Sequence, residues 1–327
     1  MPVSGRRHAR QLALLTTGAL ILGTLALTGA TASPAAPDPS TYGTFPGGNG
    51  LLTFARIHDR RTDIVAMRTD GSHRRVLVGS PTGAISVFSD WSADGRRLLF
   101  DRQRTDGNID IFLRRPGGKI VRLTDADSDD VHASWSPSGN GMVFESNRSG
   151  RAQLFRMRSD GTHVRRLTHI PGEALEPAYS PSGRWIAFVS GAIGKTALFV
   201  IHPDGTGLRK LTERSLNAGH PSWSPDGRRI VFNSHFEKPN GRIFVIRPNG
   251  KHLRQLTKAP RGAEDFEPAY SPNGKLIAFS SFGRHDPKDT DADIWVMRAD
   301  GTHLRNLTPR SHGFEIGVTW RPLRDLH

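Results

Sequence analysis

Four ionisable residues, His132, Glu176, His220 and Glu267, each stand three positions before an aromatic residue that opens a repeated motif. Imidazole nitrogens and carboxylate oxygens alternating along a chain are donors that a divalent ion accepts, and they also suit a polar ligand. The full series is Phe88, His132, Glu176, His220, Glu267 and Gly317, and further acids accompany it: Asp129, Asp130, Glu173, Glu264 and Asp265. Such chemistry requires the positions to converge. If they line a channel, a second account needs no ligand, because channel walls are wet and opposite charges there neutralise each other. Histidine and glutamate on opposite walls are also poorly spaced for one ion to bridge. No cofactor is demanded; a divalent metal held by these four residues is the one the series admits.

The elements that must position them are legible in the motif itself. Its copies are Trp91-Ser-Ala-Asp-Gly95, Trp135-Ser-Pro-Ser-Gly139, Tyr179-Ser-Pro-Ser-Gly183, Trp223-Ser-Pro-Asp-Gly227 and Tyr270-Ser-Pro-Asn-Gly274, with lead aromatics 44, 44, 44 and 47 residues apart. A truncated copy, Trp320-Arg-Pro322, follows 50 residues later. This period is that of a β-propeller with four strands per blade. Around Trp223 the sequence predicts strands over 221–224, 228–234, 243–246 and 253–257, joined by a Pro225-Asp226-Gly227 turn, a variable loop and an Asn249-Gly250 hairpin. Asp70-Gly71, Asp160-Gly161, Asp204-Gly205 and Asp300-Gly301 repeat the hairpin, for which primed turns are expected; Pro116-Gly117-Gly118 replaces it once. A Leu-Thr pair closes each unit, at Leu123-Thr124, Leu167-Thr168, Leu211-Thr212, Leu256-Thr257 and Leu307-Thr308.

Residues 50–78 carry second, third and fourth strands without a first, and 318–322 carry a first strand with nothing after it. The expected fold is therefore all-β: a six-bladed propeller of four-stranded antiparallel blades, closed by pairing the C-terminal strand with the N-terminal blade. Trp91, Trp135, Tyr179, Trp223, Tyr270 and Trp320 are expected to pack between blades as structural repeat residues. The acidic cluster Asp286, Asp289, Asp291, Asp293 lacks the glycine and glutamate of a calcium loop. Asp293 matches Asp110 ahead of a third strand and is expected to be structural.

Arg6, Arg7 and Arg10, the apolar run Leu12 to Leu27 and Ala30-Thr-Ala32 read as a secretory signal over 1–32. A proline-rich tether over 33–48 and a propeller over 49–327 follow, with no transmembrane span after cleavage. The chain has no cysteine, which removes disulfides, thiolate metal sites and cysteine nucleophiles. Its formal charge is +14, and about +11 without the signal, 42 basic against 31 acidic residues. Arg74, Arg75, Arg122, Arg165, Arg166, Arg209, Lys210, Arg254 and Arg305 fall in the last strand of each unit, where charge discourages edge pairing. Attraction to anionic surfaces is the other use of such charge. No aromatic-lined basic groove points to nucleic acid.

With these residues in view, the repeats resemble the TolB family of β-propellers (WD40-like, PD40 repeats) over about residues 49 to 322. The resemblance implies an exported, monomeric, non-catalytic module that binds an envelope protein or cell-wall polymer, located extracellularly, at the cell wall or in the periplasm. TolB itself is a periplasmic partner of a peptidoglycan-associated lipoprotein and has an α/β domain ahead of its propeller; only a short tether is expected here, so the partner does not transfer. Some polysaccharide lyases resemble the same repeat class and place histidine ligands in the channel. A metal-dependent carbohydrate-active enzyme is therefore the alternative. Serine hydrolysis of the prolyl-oligopeptidase type is disfavoured, since no Gly-x-Ser-x-Gly elbow is present.

Overall fold

The computed structural model describes residues 45–323 apart from 59–60, 105–106, 193, 235–240, 285–290 and 310–312. The expected signal, most of the expected tether, Asp286, Asp289 and the loop at 235–240 lie outside the described residues. Among the described residues are twenty-four strands and two short 3-10 turns, Pro116–Gly118 and Arg214–Leu216. Strands β1 (Gly48–His58), β2 (Arg61–Met67) and β3 (Arg75–Val78) open the chain. Then β4 (Ile85–Trp91), β5 (Leu98–Gln103), β6 (Ile109–Arg114) and β7 (Ile120–Arg122) form one antiparallel sheet. The next holds β8 (Asp130–Trp135), β9 (Gly141–Ser146), β10 (Gln153–Arg158) and β11 (Arg165–Arg166). It is followed by β12 (Glu173–Tyr179), β13 (Ile186–Ala192), β14 (Lys195–Ile201) and β15 (Arg209–Lys210). The fourth has β16 (Ala218–Trp223), β17 (Ile230–Ser234), β18 (Arg242–Ile246) and β19 (Arg254–Gln255).

The remaining strands are β20 (Glu264–Tyr270), β21 (Leu276–Phe282), β22 (Ala292–Arg298), β23 (Arg305–Asn306) and β24 (Phe314–Leu323). They join β1–β3 in one eight-stranded sheet. The C-terminal strand pairs with the N-terminal one as expected: β24 runs antiparallel to β1, with Leu52 opposite Trp320 and Arg56 opposite Glu315. Six separate blades are not what results. Four sheets stand as separate four-stranded blades, and the other eight strands are continuous. The cause is one parallel bridge between Ala292 of β22 and Phe314 of β24, which ties the last strand to two neighbours at once.

Alternation explains the core. Every second strand buries a phenylalanine at the same place, Phe54, Phe100, Phe144, Phe188, Phe232 and Phe279, each fully shielded from water. Burying such a ring is worth about 2–3 kcal/mol. The Leu-Thr pairs have a defined task. Leu198 N–H, in a third strand, donates to Thr212 Oγ1 at 2.9 Å while Leu211 N–H donates back to Leu198 O at 2.8 Å. The same arrangement recurs at Ile111 with Thr124, Leu154 with Thr168, Ile243 with Thr257 and Ile294 with Thr308.

The hairpins differ from the primed turns expected. Gly161 N–H bonds Arg158 O and Arg158 N–H bonds Thr162 O, with left-handed backbone at Gly161 (φ 89°) and not at Asp160. That is a type I turn followed by a glycine bulge. Asp160 Oδ1 favours it by accepting from Thr162 N–H at 2.9 Å, and a Cβ on Gly161 would meet Leu123 O of the preceding sheet at 2.6 Å.

Candidate functional site

The residue three before each lead aromatic lies within its strand, not at the start. Phe88, His132, Glu176, His220, Glu267 and Gly317 all have left-handed backbone, with φ between 43° and 67°. The antiparallel register slips at each of them. Left-handed backbone costs an ordinary residue roughly 1–2 kcal/mol. The bulge turns its N–H out of the ladder, and at five of the six places an acceptor from the preceding repeat receives it. His132 N–H donates to Asp101 Oδ2 (2.7 Å), Glu176 N–H to Glu145 Oε2 (3.1 Å) and His220 N–H to Glu176 Oε2 (2.6 Å). Glu267 N–H donates to Asn233 Oδ1 (3.3 Å) and Gly317 N–H to Glu267 Oε2 (2.6 Å).

Asp101, Glu145 and Asn233 were not singled out by the sequence reading. Each follows the buried phenylalanine of a second strand, in the series Ala55, Asp101, Glu145, Val189, Asn233, Ser280. A buried acid at the end of an apolar strand was the available signal. The two series are complementary. Where the second strand supplies Asp101, Glu145 or Asn233, the inner position is Phe88, His132 or His220. Where it supplies only Val189 or the short Ser280, the inner position is Glu176 or Glu267, and that glutamate is the acceptor instead. The alternation of histidine and glutamate is thereby an alternation in which strand provides the acceptor.

All four expected residues line one cavity of about 200 Å³ together with Phe88 and Gly317. Phe88 packs on the His132 ring with centroids 4.5 Å apart, and the two imidazoles lie 5.9 Å apart. The lead aromatics, Pro177, Pro221, Pro268 and Phe45 line it as well. His132 Nδ1 is 3.1 Å from Glu145 Oε2; His220 Nε2 is 3.5 Å from Glu176 Oε1 and 3.9 Å from Glu267 Oε1. Burial favours neutral His132, but the Glu145 hydrogen bond and the charges of Glu145, Asp101 and Glu176 outweigh it and raise its pKa to about 9. Burial dominates at His220, which falls to about 4 with the His132 charge adding to the effect, and at Glu176, which rises to about 7. Burial likewise raises Glu267, and lifts Asp101 to about 7. At neutral pH one histidine is a cation and the other is neutral.

Among the described residues no group of three or more His, Asp or Glu is arranged to hold a metal ion. Among the four channel residues, His132 Nδ1 bonds Glu145, and Glu176 and Glu267 each accept a backbone N–H through Oε2, while His132 Nε2 and Glu267 Oε1 are buried with no hydrogen-bond partner among the described residues. Of the accompanying acids, Asp130 accepts from Arg148 at 2.6 Å and Asp265 from the forked Arg284 at 2.8 and 2.6 Å. Asp110 meets Arg122 at 2.9 Å and Asp293 accepts from Asn306 at 2.7 Å, so both anchor third strands.

Trp135, Trp223, Tyr270, Trp91 and Trp320 are buried, and Tyr179 is half-buried. Trp223 Nε1 donates to Ala178 O (3.0 Å) and Trp320 Nε1 to Ala269 O (3.1 Å), across to the preceding repeat. Outer-strand arginines do more than guard edges. Arg209 donates to Pro248 O (2.7 Å), Arg254 to Asp300 O (3.1 Å) and Arg305 to Thr69 O (2.8 Å), each on the next repeat's hairpin.

Four four-stranded sheets and one eight-stranded sheet, the last strand paired with the first, around a polar cavity define a β-propeller of repeated blades. Residues 45–238 match the TolB beta propeller domain (PD40), more than half the chain, and the chain belongs to that family. Among solved structures it is similar to TolB from Acinetobacter baumannii, at 20% identity and a TM-score of 0.69, covering 84% of this chain and 67% of that one. A putative TolB from Agrobacterium tumefaciens is 20% identical with a TM-score of 0.63, over 84% of this chain and all of that one. An oligogalacturonate lyase in complex with manganese aligns at 16% identity and a TM-score of 0.53, covering 80% and 74%. No curated protein matches the chain. No helix among the described residues is long and apolar enough to cross a membrane.

Proposed function

We propose that this is an exported, non-catalytic propeller that binds a protein of the cell envelope at the mouth of its central cavity. The observation that carries the reading is the use made of the channel acids. Asp101, Glu145, Glu176 and Glu267 each accept a backbone N–H from the following repeat, so their first task is to fasten sheets. What remains open is a proline- and aromatic-walled cavity of about 200 Å³, room for a protruding side chain or two. The likeness to TolB structures supports a protein partner over a small substrate.

The eight-stranded sheet is read as two blades, β24 with β1–β3 and β20–β23, in contact through the Ala292–Phe314 bridge. Six equivalent bulges and six equivalent buried phenylalanines support a six-fold ring. The basic and apolar start of the chain supports export to the cell wall, the periplasm or the medium, with residues 1–32 as signal, 33–48 as tether and 49–327 as the propeller.

A photo-crosslinking residue in place of Ser222, which lines the cavity, should give one protein adduct in envelope extract; the same residue at exposed Arg184 should not. Adducts at both positions or neither would contradict the reading. A metal-dependent lyase or hydrolase remains the second reading because an oligogalacturonate lyase with manganese shares the fold. It requires that His132→Ala/His220→Ala abolish turnover of an envelope or pectic glycan by the purified protein.

A further inference from the structure

The outer wedge between two sheets gathers positive charge with almost nothing to oppose it. A cleft of about 1010 Å³ between β16–β19 and β20–β23 is lined by Arg229, Arg247, His252, Arg254, Lys275 and Arg298, with Asp300 the one acid in its lining. All six cationic or titratable side chains are exposed. No ion pair joins Arg229, Arg247, Lys275 or Arg298 to a carboxylate among the described residues, although such pairs form freely elsewhere in the molecule. The floor is Val245, Ile246, Leu276 and Ala299.

The equivalent wedge between β24–β1–β2–β3 and β4–β7 repeats the pattern. Its cleft of about 250 Å³ contains Arg75, Arg96, Arg114 and Arg321 and no acid. There Arg321 Nε bonds Gly95 O at 2.7 Å and Arg114 Nε bonds Leu77 O at 3.2 Å, so the guanidiniums are oriented by backbone. Both wedges open on the face that carries the turns between first and second strands and the hairpins between third and fourth. Like charges a few ångströms apart repel by about 1 kcal/mol per pair even in water. Edge protection needs one charge per strand, not five around a cleft.

We propose that these wedges bind a linear phosphate-bearing polymer without bases, such as a polyol phosphate, laid along the rim of the propeller. The number of cations in the larger cleft and the recurrence of the pattern in a second wedge fit an extended polyanion better than a single phosphate. No aromatic residue apart from His252 lines the larger cleft, so it lacks the stacking platforms that hold single-stranded nucleic acid. Guanidinium and ammonium groups then read charge alone, with affinity falling as salt rises.

The test is fluorescence anisotropy with labelled linear inorganic polyphosphate on the full-length protein, across a salt series. Saturable binding is expected, weakening roughly 50-fold between about 50 and 200 mM salt for four phosphate contacts. Arg247→Glu/Lys275→Glu removes two exposed cations that form no side-chain bond among the described residues; it should weaken binding at least tenfold at unchanged melting temperature. Arg165→Glu/Arg166→Glu, the same charge change outside both clefts, should alter it less than threefold. Should the Arg247→Glu/Lys275→Glu variant lose cooperative unfolding, Arg247→Gln alone gives the same ranking with a smaller loss. Equal losses in cleft and control variants, no saturable binding, or tighter binding to an oligothymidylate of equal charge or to anionic lipid vesicles would each overturn the assignment.

Discussion

His132 and His220 occupy matching places and have pKa values shifted in opposite directions, because Glu145 accepts from one ring at 3.1 Å while burial dominates at the other, whose nearest carboxylates, Glu176 and Glu267, stand 3.5 and 3.9 Å away. The consequence is a defined pH profile. His132 is raised to about 9, so its contribution to stability is complete below the unfolded value of 6.5 and disappears as pH climbs through 9. His220 is lowered to about 4, so the native state is penalised as pH falls from 6.5 toward 4. Glu176 and Asp101, raised to about 7, favour the native state in acid and cease to do so as pH rises through 7. Calorimetry on His132→Gln should accordingly show a flatter decline in melting temperature between pH 7 and 10 than the parent protein. Identical alkaline slopes would mean that His132 is neutral in the fold.

At the scale of strands, the threonine that ends each unit acts as a cap for the third strand. Thr212→Val leaves Leu198 N–H buried without its side-chain acceptor, which costs about 1–3 kcal/mol. Thr206→Val, on an exposed hairpin, should cost less than about 0.5 kcal/mol. Urea midpoints for the two variants check the difference, and equal midpoints would remove the capping role. The strands were legible because alternation, Ser-Pro-x-Gly turns and Asp-Gly hairpins are local signals. The bulge was not legible: left-handed backbone at Glu176 or His220 is held by an acceptor one repeat away, which no local pattern announces. For the same reason the four channel residues were found while the backbone bonds that link them from repeat to repeat were not. The spacing located His132 and Glu176, whereas Asp101 and Glu145 sit inside runs that read simply as core. The turn type was missed because Asp160 bonds forward to Thr162 and stays right-handed, leaving only Gly161 to invert.

For the whole molecule, closure depends on β24 lying between β1 and β22. Removing residues 314–327 takes away a first strand, exposes the edge of β1 and deprives Glu267 of the Gly317 N–H. The truncated protein should aggregate or melt well below the parent, as light scattering and calorimetry would register; a monomer with unchanged melting temperature would contradict the closure. What fastens one sheet to the next around the cavity is a succession of acceptors supplied by either of two strands. A double-mutant cycle on stability tests that most directly. Glu176→Ala should destabilise the protein by about 2 kcal/mol or more, by orphaning His220 N–H. Val189→Glu alone should also destabilise it, by burying an unpaired acid. Combined, they recreate the acceptor arrangement of the preceding repeat, so the double variant should be more stable than the sum of the singles by at least about 1 kcal/mol. Simple additivity of the two losses would contradict the account.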